Sequence, residues 1–266
     1  MFEWFQKKQA SRKYVDLIMD ASSKWANWDP PKTIQAGDFG TINRESGQFE
    51  RIGNIYTYPD TADIARKHPV NSRPAEEVYV IHSHYSKKVE GNAGASTGAP
   101  DVADANFSTE IKFDKRRGAF LVMHNPCMSV VPDEFCRETL GIDLFNDRKI
   151  ALITEAFTCD GFVLYLSSKK TESIRVSLKA EAGPHVEGEV NGIWLTEGGS
   201  GNFRRGYRKG AYTPLYLLKS VQPPPPKRRE SPDPNAVEGD RWNEMEVPWD
   251  FLDSDGDEEP EEEFSD

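Results

Sequence analysis

Apolar and polar residues follow two successive patterns between residues 150 and 181. Ile150–Leu166 is a long, β-prone apolar run, and the polar stretch Ser167–Glu172 follows it. Beyond that stretch, apolar and polar residues alternate one by one through Ile174, Arg175, Val176, Ser177, Leu178 and Lys179. A two-residue period is typical of a strand with one solvated face. The pattern predicts a β-hairpin with unusually long arms that reverses at Ser167–Glu172, and Cys159–Gly161 is the expected place for a bulge or bend.

The N-terminal pattern is helical instead. Val15, Ile18, Ala21 and Trp25 recur at three- and four-residue spacing, and no Pro or Gly interrupts residues 1–28. Its aromatic and basic residues suit a helix at an anionic membrane surface: Phe2, Trp4, Phe5, Lys7, Lys8, Arg12 and Lys13. The alternative is a terminal helix packed on the body with solvated lysines, and the residues alone leave both interpretations open.

A second long hairpin unit is predicted over residues 76–123. Its arms are 76–85 and 107–123, joined by a Gly-, Ala-, Ser- and Asp-rich crossing, with a basic corner at Lys115, Arg116 and Arg117. Further strands are expected over 188–195 and 213–221. Between them, the glycine cluster 198–201 precedes four cations and predicts a flexible basic loop: Arg204, Arg205, Arg208 and Lys209.

Charge divides the chain into two regions. The net charge is −11, yet residues 223–266 hold 16 acidic and four basic residues, so the rest is close to neutral. Together with the four prolines 223–226, this predicts a folded domain over 1–222 and a disordered acidic tail over 223–266. Trp242, Val247, Trp249, Phe251 and Leu252 form a possible docking strip in that tail.

The sequence offers little support for catalysis or cofactor binding. It lacks a nucleophile elbow, a metal-ligand constellation and a nucleotide-binding loop, so we expect no enzyme, no cofactor and no nucleic-acid partner. Its three cysteines indicate a reducing compartment. No signal peptide and no transmembrane helix are expected.

The order of these features resembles the pore-forming domain of the gasdermin family over roughly residues 1–222. Lys149–Ala156 resembles the family's apolar strand ending in Thr-Glu. Three further pieces resemble the fungal branch, the gasdermin-like regulators of cell death used in allorecognition: Gly37–Gly40, Gly53–Tyr56 and Tyr212–Tyr216.

The resemblance implies an α+β fold with a twisted antiparallel sheet, long hairpins and peripheral helices. It implies a protein that is cytoplasmic when inactive and that oligomerises in the plasma membrane, where two hairpin regions, about 76–123 and 149–195, form a β-barrel pore. The implied partners are other copies of the chain, an allelic variant as hetero-oligomer partner, and anionic lipids such as cardiolipin, phosphatidylserine or phosphoinositide.

The implied lipid-binding residues are Lys7, Lys8, Arg12 and Lys13, with Lys115–Arg117 and Arg204–Lys209 as additions. Animal members carry a large inhibitory C-terminal domain, whereas this chain has a 44-residue tail. Activation by an allelic partner is therefore favoured over domain removal, and clipping of the tail is the other route. The competing hypothesis is a soluble β-rich interaction module that regulates cell death without forming pores.

Overall fold

The computed structural model describes residues 2–73, 76–84, 86–89, 107–114, 117–140, 142–147, 149–169, 171–182, 190–221 and 241–249. For residues 2–9, 180–182 and 190–191 it describes the backbone alone. The fold is α+β, with two antiparallel sheets and a few peripheral helices. This confirms the predicted fold class.

Helices cover a small share of the described chain. Helix α1 spans Phe2–Ser22, α2 spans Ala62–Lys67, α3 spans Asp133–Glu138, and a 3-10 helix spans Asp143–Asn146. Helix α1 ends earlier than the boundary predicted at residue 28, because Ser23 takes a positive φ of 56°. Trp25–Ala26 then forms the first strand instead of a further helical turn.

Fourteen strands are described. They are β1 Trp25–Ala26, β2 Asp38–Ile42, β3 Phe49–Asn54, β4 Asn71–Arg73, β5 Val78–His82, β6 Ser86–Val89, β7 Phe107–Phe113, β8 Ala119–His124, β9 Cys127–Val130, β10 Ala151–Leu166, β11 Glu172–Ala182, β12 Val190–Gly198, β13 Asn202–Val221 and β14 Trp242–Glu244. Ten strands form sheet A around β10, which pairs with β13 on one side and with β2, β9 and β8 on the other. The other four form sheet B in the order β12-β11-β7-β6.

The predicted hairpin between 150–166 and 173–181 is wrong. Strand β10 pairs with β13, whereas β11 pairs with β12 and β7, so residues 167–171 carry the chain from one sheet into the other. A polar stretch between two apolar ones is compatible with a reversal or with a bend, and residue pattern alone does not separate the two. The predicted flexible basic loop is also wrong, because Arg204–Lys209 lies within the 20-residue strand β13.

Four strand connections cross between the sheets side by side. In sheet A, the last paired residues beside the crossings are His82 with Phe120, Ala119 with Leu166, and Leu166 with Asn202. In sheet B, the first paired residues beside the crossings are Ser86 with Phe113, Phe113 with Glu172, and Ile174 with Gly198. We call this row of crossings the bend line. Along it, two hairpin units, 78–124 and 151–221, pass together from sheet A into sheet B.

Sheet B lies back on sheet A beyond the bend line. Ile111, Ile174 and Val176 of sheet B share a buried cluster with Phe120, Val163 and Tyr165 of sheet A. Helix α1 covers the opposite face of the same part of sheet A, where Tyr14 and Ile18 pack with Leu121 and Leu164. Strands β8 and β10 are therefore covered on both faces.

The third cluster lies at the other end of sheet A and includes part of the predicted tail. Residues 241–249, which we call the strap, contain β14, and β14 pairs with β13 through Val221 and Trp242. Trp242 is 2% exposed and joins this core. The prediction that 223–266 lies outside the fold therefore needs correction for 241–249, because Trp242, Val247 and Trp249 of the docking strip pack on this chain's own body. Residues 222–240 and 250–266 lie outside the described residues.

Candidate functional site

The Glu172 carboxylate and the Tyr165 hydroxyl hold one part of the bend line. Glu172 accepts hydrogen bonds from the backbone N of Ser168 at 3.1 Å and from the backbone N and Oγ of Ser200 at 3.0 and 3.1 Å. The Tyr165 hydroxyl accepts from the backbone N of Ser200 and of Gly201 at 3.0 and 2.8 Å. Burial raises the pKa of Tyr165 to about 12, so the hydroxyl stays protonated. These bonds join the crossing at 167–171 to the crossing at 199–201.

A second group of bonds joins the crossing at 167–171 to the crossing at 114–118. The backbone N of Ser167 donates to the Gly118 carbonyl at 2.8 Å, and the Ser167 Oγ accepts from the Gly118 N at 2.7 Å. Arg117 Nε donates to the Ser167 carbonyl at 3.0 Å. A Cβ at Gly118 would lie 2.3 Å from the Phe113 ring, so glycine permits the close approach there.

Direct contacts also tie β12 to β13 across the bend. Trp194 Nε1 donates to the Gly206 carbonyl at 3.1 Å, and Arg205 donates to the Trp194 carbonyl. A Cβ at Gly192 would lie 2.4 Å from the Tyr207 ring, which shows how closely the two strands approach. Residues 192 and 207 are thus in contact, although a straight strand of that length would hold them roughly 50 Å apart.

The outer face of sheet B is polar and carries paired charges. Arg175 lies 3.2 Å from Glu110 on β7 and 3.7 Å from Glu197 on β12, and Lys112 lies 3.4 Å from Glu110. Burial opposes ionisation of Glu110, but the hydrogen bonds from Arg175 and Lys112 outweigh it and lower the pKa of Glu110. This face therefore alternates with the apolar inner face residue by residue, as the sequence pattern of 173–181 predicts.

The ladder between β10 and β13 is irregular where the sequence predicts a bulge or bend. Its register shifts between Phe157 and Gly161, and residues 208–211 of β13 lie opposite Asp160 alone. Asp160 anchors this bulge by accepting from the Gly210 N at 2.8 Å, and it also accepts from Asn125 Nδ2 at 3.1 Å. Gly210 has a φ of 60°, a conformation that favours glycine. The bulge presents Arg208 and Lys209 to solvent.

The strap lies against α1. Trp249 Nε1 donates to Asp16 Oδ1 at 2.8 Å, and the Arg12 guanidinium lies 5.0 Å from the centre of the Trp249 ring. Trp25 meets Trp249 edge to face at 5.9 Å and donates through Nε1 to the Met245 carbonyl at 3.1 Å. The strap therefore holds the middle of α1 to the end of sheet A.

The structure distributes the predicted lipid-binding residues over several places. Arg12 and Lys13 are buried, at 8% and 6% exposure, and Arg117 lies at the bend line. Arg204 donates to the Trp28 carbonyl and lies 4.7 Å from the centre of the Trp28 ring, whereas Arg205 faces β12. Lys115 and Arg116 lie outside the described residues. In the first part of α1 the backbone alone is described, so nothing is known of these side chains: Phe2, Trp4, Phe5, Lys7 and Lys8. Lipid binding by all of these residues stays a prediction.

The residue pattern does not identify the side chains that close the bend. It places Glu172 in a polar reversal and gives Trp194 and Tyr207 no special role. Glycines carry a signal for Tyr207, because a Cβ at Gly192 or at Gly161 would lie 2.4 or 2.6 Å from its ring.

The described ranges contain no candidate membrane-spanning helix and no candidate metal site. No helix in them is long and apolar enough to cross a membrane. No group of three His, Cys, Asp or Glu side chains in those ranges is arranged to hold a metal ion.

Comparisons with known proteins leave the family open. No protein-family model matches the chain, and no curated protein matches it. Among solved structures, the chain is similar to the cryo-EM structure of the gasdermin A3 membrane pore, at 8% identity, with 86% of this chain and 88% of that chain covered. The TM-score is 0.28, which is too low for this likeness to carry an argument about fold or function.

Proposed function

We propose that this chain is a pore-forming cell-death effector whose two bent hairpin units straighten and insert into an anionic membrane. The observation that supports the proposal is the bend line, where four neighbouring strands turn together and sheet B lies back on sheet A. Straightening along this line would release an apolar face that sheet A now covers.

Strand length supports the same proposal. Strand β11 has 11 residues and β12 has nine, and a tilted strand needs about 9–11 to cross the hydrocarbon core. Backbone groups in lipid must all be paired, so isolated hairpins are unstable there. The proposal therefore includes self-oligomerisation, in which each copy's sheet edges pair with those of its neighbours.

Anionic lipids are the proposed target: cardiolipin, phosphatidylserine or phosphoinositide. Helix α1 supplies the proposed first contact through Lys7 and Lys8, and the exposed Arg208 and Lys209 add to it. Arg12 and Lys13 are covered in the described structure, and contact of Arg12 with lipid requires displacement of Trp249 of the strap. Residues 250–266 hold ten acidic and no basic residues, and they follow the strap directly. That charge would oppose approach to an anionic surface.

The proposed trigger is an allelic variant of the same family that forms a hetero-oligomer with this chain, as in fungal allorecognition. The protein would be cytoplasmic before this encounter and at the plasma membrane after it. Removal of the tail is the other trigger. The contact between strap and α1 gives it a physical basis, since releasing Trp249 removes its hydrogen bond to Asp16 and its contact with Arg12.

Dye release from vesicles tests the proposal. The full chain carries a protease site inserted within residues 223–240, so that cleavage separates the strap and the acidic residues after it from the body. It is added to vesicles of phosphatidylcholine alone or with cardiolipin or phosphatidylserine, before and after cleavage. A candidate allelic partner is tested in parallel. We expect release from the anionic vesicles only, after cleavage or with the partner. Intact vesicles under all these conditions would refute pore formation.

Charge reversal separates this proposal from the soluble interaction module. Lys7→Glu with Lys8→Glu should abolish dye release and cell killing, because α1 then loses its attraction to anionic lipid. Arg66→Glu with Lys67→Glu on α2 is the matched control, with the same charge change on exposed side chains. The soluble module predicts cell killing that neither pair of substitutions alters.

A further inference from the structure

The two central strands of the bend keep a single register in both sheets. In sheet A, Leu166 of β10 pairs with Ala119 of β8, and in sheet B, Glu172 of β11 pairs with Phe113 of β7. Five residues separate these positions on each side, 167–171 and 114–118, so the two stretches are equally long. The bond from the Ser167 N to the Gly118 carbonyl already adds one step to the ladder. Completing it therefore requires no slip of either strand.

The outer strand pairs do not keep a single register across the bend. On one side, residues 83–85 of the β5–β6 crossing face residues 114–119 of the neighbouring strand. On the other side, residues 199–201 face residues 167–173. Both outer ladders must gain a bulge or slip when the bend opens, so the central pair alone fixes the alignment of the straightened sheet.

A ladder completed without slip also determines which side chains share a face. Side chains alternate strictly along a strand, so the even-numbered residues of β10 continue into the even-numbered residues of β11. Phe162, Leu164 and Leu166 then lie on one face with Ile174, Val176 and Leu178. In the bent form, α1 covers the first three and sheet A covers the last three.

The odd-numbered residues form the opposite face. On β11 this face carries Arg175, Ser177 and Lys179, and the neighbouring positions on β7 are Ser108 and Glu110. Ser108 and Ser177 already bond through their hydroxyls at 2.9 Å. Val163 and Tyr165, which pack inside the bent form, would share this polar face after straightening. Opening the bend would therefore change which residues of these strands are covered.

We infer that the face with Ile174, Val176 and Leu178 contacts lipid acyl chains, and that α1 covers the continuation of this same face in the bent form. The inference rests on the proposed function. Along β11 this face has no polar side chain from Ile174 to Leu178. Its partner positions are Ile111, Thr109 and Phe107 on β7, and Gly198, Thr196 and Trp194 on β12. The face with Arg175 and Ser177 contacts water. Helix α1 must leave β8 and β10 before hydrocarbon can reach Leu164 and Leu166.

Neighbouring cysteine substitutions test the assignment in the full chain. The background is Cys127→Ser, because Cys127 is half-buried whereas Cys136 and Cys159 are buried. Val176→Cys and Ser177→Cys are nearly isosteric, and both sites are at most 2% exposed in the bent form. Thr109→Cys and Ser108→Cys form the matched pair on β7, directly opposite. The background chain without added cysteine reports any exposure of Cys136 or Cys159.

Each variant is reacted with a membrane-impermeant maleimide in solution and on phosphatidylserine-containing vesicles while dye release is recorded. We expect labelling of Ser177→Cys and Ser108→Cys to rise at least tenfold on vesicles, and that of Val176→Cys and Thr109→Cys to stay near the solution rate. Dye release with the opposite labelling pattern, or with equal labelling of both faces, overturns the face assignment alone. Absence of dye release with the trigger present overturns the proposed function and this inference with it.

Discussion

Removing the Glu172 carboxylate should weaken the bend without altering the apolar core. Its three hydrogen bonds connect Ser168 and Ser200 on two crossings. Hydrogen bonds to charged groups contribute about 1.5–3 kcal/mol when buried, and half-exposed ones contribute less. Because Ser200 N keeps its bond to the Tyr165 hydroxyl, the net loss for Glu172→Ala is about 2 kcal/mol in the free energy of unfolding.

Urea denaturation and dye release measure the two consequences of this substitution. If the bend must open before insertion, a loss of about 2 kcal/mol accelerates dye release by up to about thirtyfold. Glu172→Gln should fall between the parent and Glu172→Ala, since an amide oxygen retains part of the acceptor role. Glu197→Gln is the control, because that carboxylate is 51% exposed and lies 3.7 Å from Arg175. Loss of stability in Glu172→Ala with an unchanged rate of release would refute the requirement for opening.

Three further outcomes follow from individual contacts. Trp249→Ala should lower the melting temperature and increase binding to anionic vesicles, because α1 loses its contacts through Asp16 and Arg12; unchanged sedimentation with vesicles would contradict this. Burial lowers the pKa of His124 against the opposing charges of Asp160 and Glu77, so the folded state should lose stability as pH falls from about 6.5 towards that lowered pKa. His124→Asn should remove this part of the pH dependence in urea titrations. Gly40→Ala should destabilise by about 3 kcal/mol or more in the same assay, because the added Cβ would lie 2.0 Å from the Glu50 carbonyl oxygen, and a loss under 1 kcal/mol would contradict the packing.

Periodicity predicted the strands better than their partners. The alternation over 173–181 identifies both faces of β11, and Cys159–Gly161 marks the irregular part of the ladder between β10 and β13. Pairing is non-local, however, and it depends on which apolar faces meet across the core. Strand β10 therefore pairs with β13, more than 35 residues beyond its end, instead of with the next strand along the chain.

Composition does not predict which basic residues of the candidate site are buried, because burial also depends on non-local contacts. Basic residues near an aromatic helix indicate a membrane surface, but composition does not reveal which cations are covered. Arg12 and Lys13 are buried, and Arg12 lies under Trp249 of the strap. The strap belongs to a region whose charge resembles that of a disordered tail. Its tryptophans carry the signal for docking, since Trp242 and Trp249 each find a hydrogen-bond acceptor on the body.

The distance between residues 193 and 208 tests the straightening of the bend most directly. Spin labels are placed at Ile193→Cys and Arg208→Cys in the Cys127→Ser background, since both side chains are exposed on opposite sides of the crossing. In solution the two sheets should hold the labels within about 25 Å of each other, because packed sheets lie about 10 Å apart. On leaking phosphatidylserine vesicles the account predicts a distance of about 50 Å, from 15 residues at roughly 3.3 Å each. Retention of the short distance while dye is released would contradict it.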